Sequence, residues 1–293
     1  MSHPVLLVTG ASGHLGRRVA EILLETQAGT VIVGTRDPAR VADLAAKGAE
    51  ARSVDFDRPE TLGPAFAGVD RVLLVSTDAL PTRAGQQRRA VEAAAKAGVG
   101  HIAYTSSPAP KPWPKNDILN SHYWTEHAIA ASGMGFSVLR NNIYAEIILA
   151  GLPHALKTGQ MVSATGTGGR SYVTREDCAR AAAGALADGF EGRRILEVGG
   201  PAPVTQDEIA AIVSGIVGRT IGHVAVPAEA LREGLLTAGM PDFYADALVG
   251  FDVDAAEGFH AAVTGAVRDL SGREPTSVED FLAANAGAIR AMA

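Results

Sequence analysis

Short apolar runs alternate along the chain with longer segments in which apolar residues recur every three or four positions. The short runs predict β-strands, among them Val5–Val8, 31–33, 71–75 and 101–104. The longer segments predict helices at 14–27, 38–47, 59–67, 82–97, 117–132, 175–187 and 205–217. Strands that alternate with helices in this way indicate βαβ units, and therefore an α/β fold built on a parallel sheet.

The strand rhythm fades near residue 227, and the helical segments that follow are interrupted by glycine and proline. We therefore predict a smaller, mainly helical C-terminal lobe beside the sheet domain. The predicted sheet domain covers 1–145, and 170–225 returns to it. The predicted lobe comprises 146–169 and 226–275, and a C-terminal helix fills 276–293.

Composition narrows the classes of partner. The chain has 293 residues, of which 47% are hydrophobic and 20% charged, enough apolar residues for a large core. Its net charge of −6 provides no general attraction for nucleic acid. Its single cysteine, Cys178, cannot form an intrachain disulfide, and no Cys/His cluster suggests a metal site.

We find no apolar run of membrane-spanning length and no targeting pattern in the first residues. We therefore expect a cytoplasmic protein, with no membrane partner, that acts on a small molecule. The pattern is compatible with a monomer or a homodimer.

A glycine-rich turn follows the first strand and opens the first predicted helix. Its sequence, TGASGHLG, spans residues 9–16. Glycines at this place allow a tight turn and a close approach of backbone to a pyrophosphate, and the helix N-terminus provides free N–H groups. We predict a Rossmann-type, doubly wound dinucleotide-binding fold, in which the turn contributes Thr9, Gly10, Ser12, Gly13, His14, Leu15 and Gly16 to the cofactor site.

The end of the second strand indicates which dinucleotide binds. A carboxylate there would favour NAD, but this strand ends in Thr35-Arg36. The guanidinium of Arg36 suits a 2′-phosphate, and Arg40 could add a second charge. An alternative is that Asp37 binds the ribose, although Asp37 is also well placed as a helix N-cap before Pro38. NADPH is therefore the expected cofactor.

Polar and aromatic side chains follow the next three strands, at the edge where open α/β sheets bind ligands. Asp55 and Phe56 are expected at the adenine ring, although a capping Asp beside a core Phe would give the same pattern. The remaining expected cofactor contacts at this edge are Ser76, Thr77, Tyr104, Thr105 and Ser106.

Four motifs together give the chain a resemblance to a known family. They are the glycine turn, HIAYTS at 101–106, the His122-x-x-Thr125-Glu126 segment and LRNN at 139–142. In this order they resemble the NmrA-like branch of the atypical short-chain dehydrogenases, particularly the type 2 NADPH:quinone oxidoreductases and the triphenylmethane reductases. The resemblance implies an NADP-binding domain with a lobe that closes the substrate cleft. It also implies cofactor contacts from Asn141 and Asn142, and a place for His122 in the cleft.

The chain departs from the wider superfamily at the proton relay. Typical short-chain dehydrogenases carry a Lys four residues after the catalytic Tyr, whereas this chain has Tyr123 and His127. A neutral, shorter His is a poor substitute for Lys, so these two residues could simply decorate a partly buried helix. The candidate catalytic residues are His122, Tyr104 and Tyr123, and the candidate substrate contacts are His122 and Tyr144. His122 could equally have a structural hydrogen-bonding role.

A reaction that needs no strong acid fits this set. Hydride transfer to a quinone or another conjugated, electron-poor acceptor produces an oxyanion whose conjugate phenol has a pKa of about 10. The sequence therefore predicts an NADPH-dependent oxidoreductase with a quinone-like acceptor. One alternative is a non-catalytic, NADP(H)-sensing regulator that resembles NmrA itself. The other is an isoflavone-reductase-like ene or ether reductase. The latter would require a Lys near Tyr123, and the nearest are Lys111 and Lys115.

Overall fold

The computed structural model describes residues 3–80, 82–113 and 117–293. Seven strands form one parallel sheet in the order β3-β2-β1-β4-β5-β6-β8. Their bounds are β1 Val5–Val8, β2 Thr30–Thr35, β3 Glu50–Ser53, β4 Arg71–Leu74, β5 His101–Ser106, β6 Gly135–Asn141 and β8 Arg193–Val198. A second, two-stranded parallel sheet pairs β7 Gln160–Ser163 with β9 Gly222–Ala225.

Thirteen α-helices occur in the part of the chain that the structure describes. The first seven are α1 His14–Glu25, α2 Ala42–Ala46, α3 Leu62–Phe66, α4 Arg83–Lys96, α5 Asp117–Ala131, α6 Glu146–Thr158 and α7 Arg175–Ala187. The others are α8 Gln206–Val217, α9 Ala228–Thr237, α10 Asp242–Ala256, α11 Ala266–Ser271, α12 Val278–Ala284 and α13 Ala286–Met292.

The seven-stranded sheet has an apolar core on each face, as the doubly wound prediction requires. Helices α1, α7 and α11 cover one face, and α3, α4 and α5 cover the other. The order of the strands reverses between β1 and β4, so the crevice at their carboxyl ends is the expected ligand site of such a sheet. The predicted Rossmann-type fold is confirmed.

A third apolar core lies in the C-terminal lobe, and it joins segments that are far apart in sequence. It combines side chains of α6, α8, α12 and α13, for example Leu152, Val213, Leu282 and Ile289. Helix α8 was predicted in the returning segment of the sheet domain, but its apolar face packs here. The residues of α11 fall in the predicted lobe segment 226–275, but the helix packs on α7. Apolar periodicity marks a buried face without specifying its partner, which accounts for both differences.

The predicted helices are mostly found, with differences at their ends. The segments 38–47 and 59–67 each begin with a 3-10 turn, at Pro38–Val41 and Pro59–Thr61, before the α-helix starts. The predicted C-terminal helix is two helices, α12 and α13, which meet at Asn285.

Candidate active site

A groove of about 630 Å³ runs along the carboxyl ends of β1, β2 and β4 and past the end of β3. This volume is in the usual range for cofactor sites, roughly 300–1,000 Å³. Eleven of the predicted cofactor residues line it: Gly10, Ser12, Gly13, His14, Leu15, Gly16, Arg36, Asp55, Phe56, Ser76 and Thr77. The groove therefore contains the predicted glycine turn at one wall and the predicted arginine at one end.

The glycine turn brings helix α1 very close to the end of β1. Gly10 has a φ of +63°, which favours glycine. A Cβ atom on Gly16 would lie 2.5 Å from the carbonyl oxygen of Gly10, so only glycine fits there. Gly13 precedes the helix and offers no side-chain cap, which leaves the N–H groups of the first turn available to a ligand. This is a cradle of the kind that pyrophosphate requires.

Two arginines lie at the end of the groove beyond β2. Arg36 and Arg40 are both exposed and both line the groove. Within the described residues, neither guanidinium forms an ion pair. The carboxylate of Asp37 accepts a hydrogen bond from the Ala39 N–H at 3.0 Å, as an N-cap does. Two cations without an ion-pair partner among the described residues therefore lie at this end of the groove, whereas the nearby carboxylate caps a 3-10 turn.

The wall between the two ends of the groove is held by one glutamine of α4. Gln86 donates to Asp57 at 2.8 Å and accepts from the Thr77 hydroxyl at 3.0 Å. Asp55 accepts from the Asp57 N–H at 3.0 Å, so its carboxylate closes an Asx turn and also lines the groove. Phe56 is buried in the core and lines the groove as well. Both interpretations of Asp55 and Phe56 are thus compatible with the structure.

Several predicted cofactor contacts lie behind the wall of the groove, where they hold the strand ends together. The Thr9 hydroxyl donates to the Leu73 carbonyl and accepts from the Val75 N–H. The Thr105 hydroxyl accepts from the Ser76 N–H at 2.9 Å. These bonds use the hydroxyls inside the protein, so they shape the groove without lining it.

Ser106 and Asn142 are engaged in the same way. The Ser106 hydroxyl donates to Glu126 at 2.6 Å, and Glu126 also accepts two bonds from Arg140. The Asn142 amide donates to the Ser171 hydroxyl at 2.7 Å and to the His260 carbonyl. Glu126 of α5 thus connects β5 to β6. Asn142 connects the end of β6 to Ser171 and His260.

Tyr104 and His122 also lie behind the groove, and they contact each other. Tyr104 is fully buried, and its hydroxyl accepts a hydrogen bond from Gln87 at 3.1 Å. His122 is buried with Nε2 at 3.4 Å from Arg83. Burial, reinforced by the charge of Arg83, holds the pKa of His122 well below its usual value. A neutral, enclosed imidazole is poorly suited to donate protons to a ligand in the groove.

Tyr123 lies on another side of α5. Its ring contacts the His127 ring in a tilted arrangement with centroids 4.1 Å apart, and the His127 ring nitrogen Nδ1 lies 2.8 Å from the Tyr123 carbonyl. Trp124, which is 52% exposed, completes this cluster. Neither Tyr123 nor His127 lines the groove, so the structure favours the surface interpretation of this pair.

Asn141 is the last residue of β6, and Tyr144 follows it where the chain leaves the sheet. Tyr144 is half-buried, and burial raises the pKa of its hydroxyl. Asn141 is buried close to that hydroxyl, yet within the described residues neither its amide nitrogen nor its amide oxygen meets hydrogen-bond geometry. The guanidinium of Arg175 lies over the Tyr144 ring, 5.1 Å from its centroid, and lines the groove. The Tyr144 hydroxyl and the Asn141 amide thus lie close together beside Arg175, which is the member of this group that lines the groove.

Groove residues that are not among the predicted cofactor contacts include Arg175, Gln86, Asp78 and Ala79. Arg175 had a local signal, because Thr174 caps α7 and accepts from the Asp177 N–H. The first residue of a capped helix after a strand-like run is a plausible ligand contact. Gln86 had no comparable signal, since its side chain reaches the groove only through the packing of α4 against the sheet.

The model of one protein family matches residues 10–189, and its description is NAD(P)H-binding. Quinone oxidoreductase 2 of Escherichia coli is 34% identical over 255 residues, which cover 87% of this chain and 89% of that protein. The match extends well beyond the glycine turn. In the part of the chain that is described, no helix combines the length and apolar character that a membrane crossing needs.

Two solved structures share the whole architecture. The E. coli NADPH-dependent quinone oxidoreductase complexed with NADPH has a TM-score of 0.89 and 32% identity, covering 96% of this chain and 99% of that one. The triphenylmethane reductase of Citrobacter sp. complexed with NADP(H) has a TM-score of 0.85 and 29% identity, with the same coverage. The cradle, the paired arginines and these likenesses agree, and we conclude that the chain belongs to the NAD(P)H-binding family, among the NAD(P)H-dependent oxidoreductases related to quinone oxidoreductase 2.

Proposed function

We propose that the protein uses NADPH to reduce a quinone or a similar conjugated, electron-poor acceptor. The observation that carries the choice of cofactor is the pair of uncommitted guanidiniums, Arg36 and Arg40, at the ribose end of the groove. A 2′-phosphate carries the charge that such a pair binds best. NADH lacks this phosphate, so the pair would contribute little to its binding.

Bound NADPH supplies a hydride from C4 of its nicotinamide ring. Reduction of a quinone to a hydroquinone takes two electrons and two protons, so beyond the hydride the site would have to admit one proton, from solvent or from the protein. The protein's own contribution is to orient the two reactants and to exclude water between them.

We assign the stabilisation of the developing oxyanion to Tyr144. Burial keeps its hydroxyl protonated, so it can donate a hydrogen bond at neutral pH. The Arg175 guanidinium over its ring adds positive charge on the same side. The neighbouring Asn141 amide lies close to the Tyr144 hydroxyl, and an amide of this kind, which can both donate and accept, suits the carboxamide of a nicotinamide. In this assignment Tyr104 and His122 position β5 and α5 and do not exchange protons with the acceptor.

The test is turnover by the purified full-length protein with 1,4-benzoquinone and 2-methyl-1,4-naphthoquinone, followed by the loss of NADPH absorbance. We expect turnover with NADPH, and a kcat about tenfold lower in Tyr144→Phe with unchanged NADPH affinity, because one stabilising hydrogen bond is lost. Tyr123→Phe is the matched control, and it should behave as the wild type.

Two results would count against the proposal. Tight NADPH binding without oxidation of NADPH by either quinone would favour the regulatory alternative. Equal activity of Tyr144→Phe and the wild type would remove Tyr144 from the assignment. The ether-reductase alternative has less support, because Lys111 binds Asp254 of the lobe at 2.5 Å, whereas Lys115 lies outside the described residues.

A further inference from the structure

The helical lobe contains a cavity of about 290 Å³ that is separate from the cofactor groove and shares none of its lining residues. It lies beneath the hairpin of α9 and α10, against α6 and β7. Apolar cavities of about 150 Å³ bind benzene, so this volume accommodates roughly two fused rings. Its walls are mostly hydrocarbon, with Ile147, Ile148, Leu231, Leu235, Leu248 and Phe251 among them.

Helix α9 has an apolar face but no buried residue. It packs chiefly against α10, where Arg232 forms an ion pair with Asp246 at 2.6 Å. Leu231 and Leu235 of this helix line the cavity and are only half-buried. Apolar side chains arranged around a space of this size gain free energy when an apolar molecule replaces water there.

The polar end of the cavity is built around Tyr172, which is 3% exposed. Its hydroxyl oxygen accepts hydrogen bonds from Arg170 Nη1 at 3.1 Å and from Gln206 Nε2 at 2.9 Å. A phenol has one proton to donate, and within the described residues no acceptor receives it. A buried donor of this kind calls for an acceptor oxygen on a ligand.

The charge at this end is balanced. Arg170 pairs with Asp252 at 2.5 Å, and Asp252 also accepts from the Ala164 N–H at 2.7 Å. A further anion would find no uncompensated cation here, and burying one would be costly. An uncharged oxygen, such as a carbonyl, suits the Tyr172 donor better than a carboxylate does.

We propose that this cavity is a binding site for a neutral, apolar molecule of about two rings that carries one carbonyl or similar oxygen, which accepts a hydrogen bond from Tyr172. The site does not depend on the proposed hydride transfer. Its ligand is either the electron acceptor itself or a second molecule of the same chemistry. The experiment below distinguishes these two possibilities.

The experiment titrates the full chain, by calorimetry, with 2-acetylnaphthalene and with 2-ethylnaphthalene, which has nearly the same shape but no carbonyl. We expect saturable binding of both, with the ketone bound about five- to tenfold more tightly, the usual effect of one hydrogen bond. Tyr172→Phe should abolish this preference. Leu235→Trp should fill the cavity and weaken both ligands at least tenfold, whereas Glu233→Trp, an exposed position on the same helix, should leave both affinities unchanged.

The absence of saturable binding to the wild type would overturn the proposal, and so would undiminished binding to Leu235→Trp. A ketone preference that survives in Tyr172→Phe would overturn the role of Tyr172. Because Leu235 lies on a partly exposed helix, its variant should fold even if Tyr172→Phe does not. Where the site is present, competition of 2-acetylnaphthalene with a quinone in turnover identifies the acceptor as its ligand, and unchanged turnover identifies a separate ligand.

Discussion

The hydroxyl of Tyr104 lies 2.7 Å from Nδ1 of His122, inside the wall behind the cofactor groove. An arginine can only donate, so the Arg83 contact makes Nε2 of His122 an acceptor and leaves the proton on Nδ1, which donates to Tyr104. Tyr104 therefore accepts from both His122 and Gln87. Two residues that the sequence suggested as proton donors bind each other across the β5–α5 packing.

We expect Tyr104→Phe to act on stability more than on chemistry. The substitution leaves two buried donors without their acceptor, which costs about 1–3 kcal/mol. Urea unfolding should show this loss, whereas kcat with a simple quinone should change less than about threefold, well below the effect of losing a general acid. A hundredfold fall in kcat with normal stability would instead place Tyr104 in the reaction.

Removing Arg36 should alter the preference between the two nicotinamide cofactors. Arg36→Ala is expected to weaken NADPH binding by about 2 kcal/mol, the scale of a charged hydrogen bond, and to leave NADH binding nearly unchanged. Fluorescence titration with each cofactor measures both affinities. Arg58→Ala is the control, since Arg58 is exposed and pairs with Glu60 outside the groove. An equal loss for both cofactors would contradict the assignment.

Gly16→Ala should disturb the cofactor cradle, because the added Cβ would meet the Gly10 carbonyl oxygen at 2.5 Å. The first turn of α1 must then move, at a cost of about 1–3 kcal/mol in stability. We expect NADPH affinity to fall more than tenfold, since the N–H groups of that turn move with it. Gly287→Ala is a matched control, as no atom lies within 4 Å of its Cβ position. Unchanged NADPH affinity in Gly16→Ala would mean that the cradle does not bind the pyrophosphate.

Mild acid should destabilise the fold through His101. Burial, with Arg71 nearby, lowers the pKa of this histidine to about 4 from 6.5. The unfolded chain therefore binds the proton more readily, and stability is lost as the pH falls from the unfolded pKa toward the folded one. Between pH 7 and pH 5 this single group should account for a loss of about 2 kcal/mol.

Urea unfolding at both pH values measures this loss in the wild type and in His101→Leu, which removes the titrating group. The variant should lose about 2 kcal/mol less between the two pH values. His127→Ala, on the exposed surface of α5, should keep the wild-type dependence. Identical pH dependence of His101→Leu and the wild type would rule out this explanation.

Local sequence was sufficient to predict the parallel sheet and eleven of the residues that line the groove. The glycine turn, the strand rhythm and Arg36 each act through neighbours within a few residues, so their roles can be inferred from spacing. The turn must approach α1 closely whatever surrounds it, and the residue that ends β2 meets the ribose edge in any sheet of this topology.

Side chains that follow neighbouring strands were harder to assign, because a strand end supplies groups both to the groove and to the packing behind it. The carboxyl ends of β1 and β5 point toward the groove and carry Thr9, Thr105 and Ser106. The hydroxyls of these residues nevertheless form hydrogen bonds with neighbouring strand ends and with Glu126. Which way such a short side chain turns depends on the donors and acceptors that packing brings within reach.

Only the tertiary structure decided the partners of the lobe and the surroundings of the buried polar groups. Nothing near Tyr172 in sequence shows that Gln206 would donate to it, or that α9 would leave a cavity above it. The apolar face of α8 likewise predicted burial but not the core that it would join. The spacing of apolar residues indicates that one face of a helix is buried. Which element covers that face depends on contacts between residues that are distant in the chain.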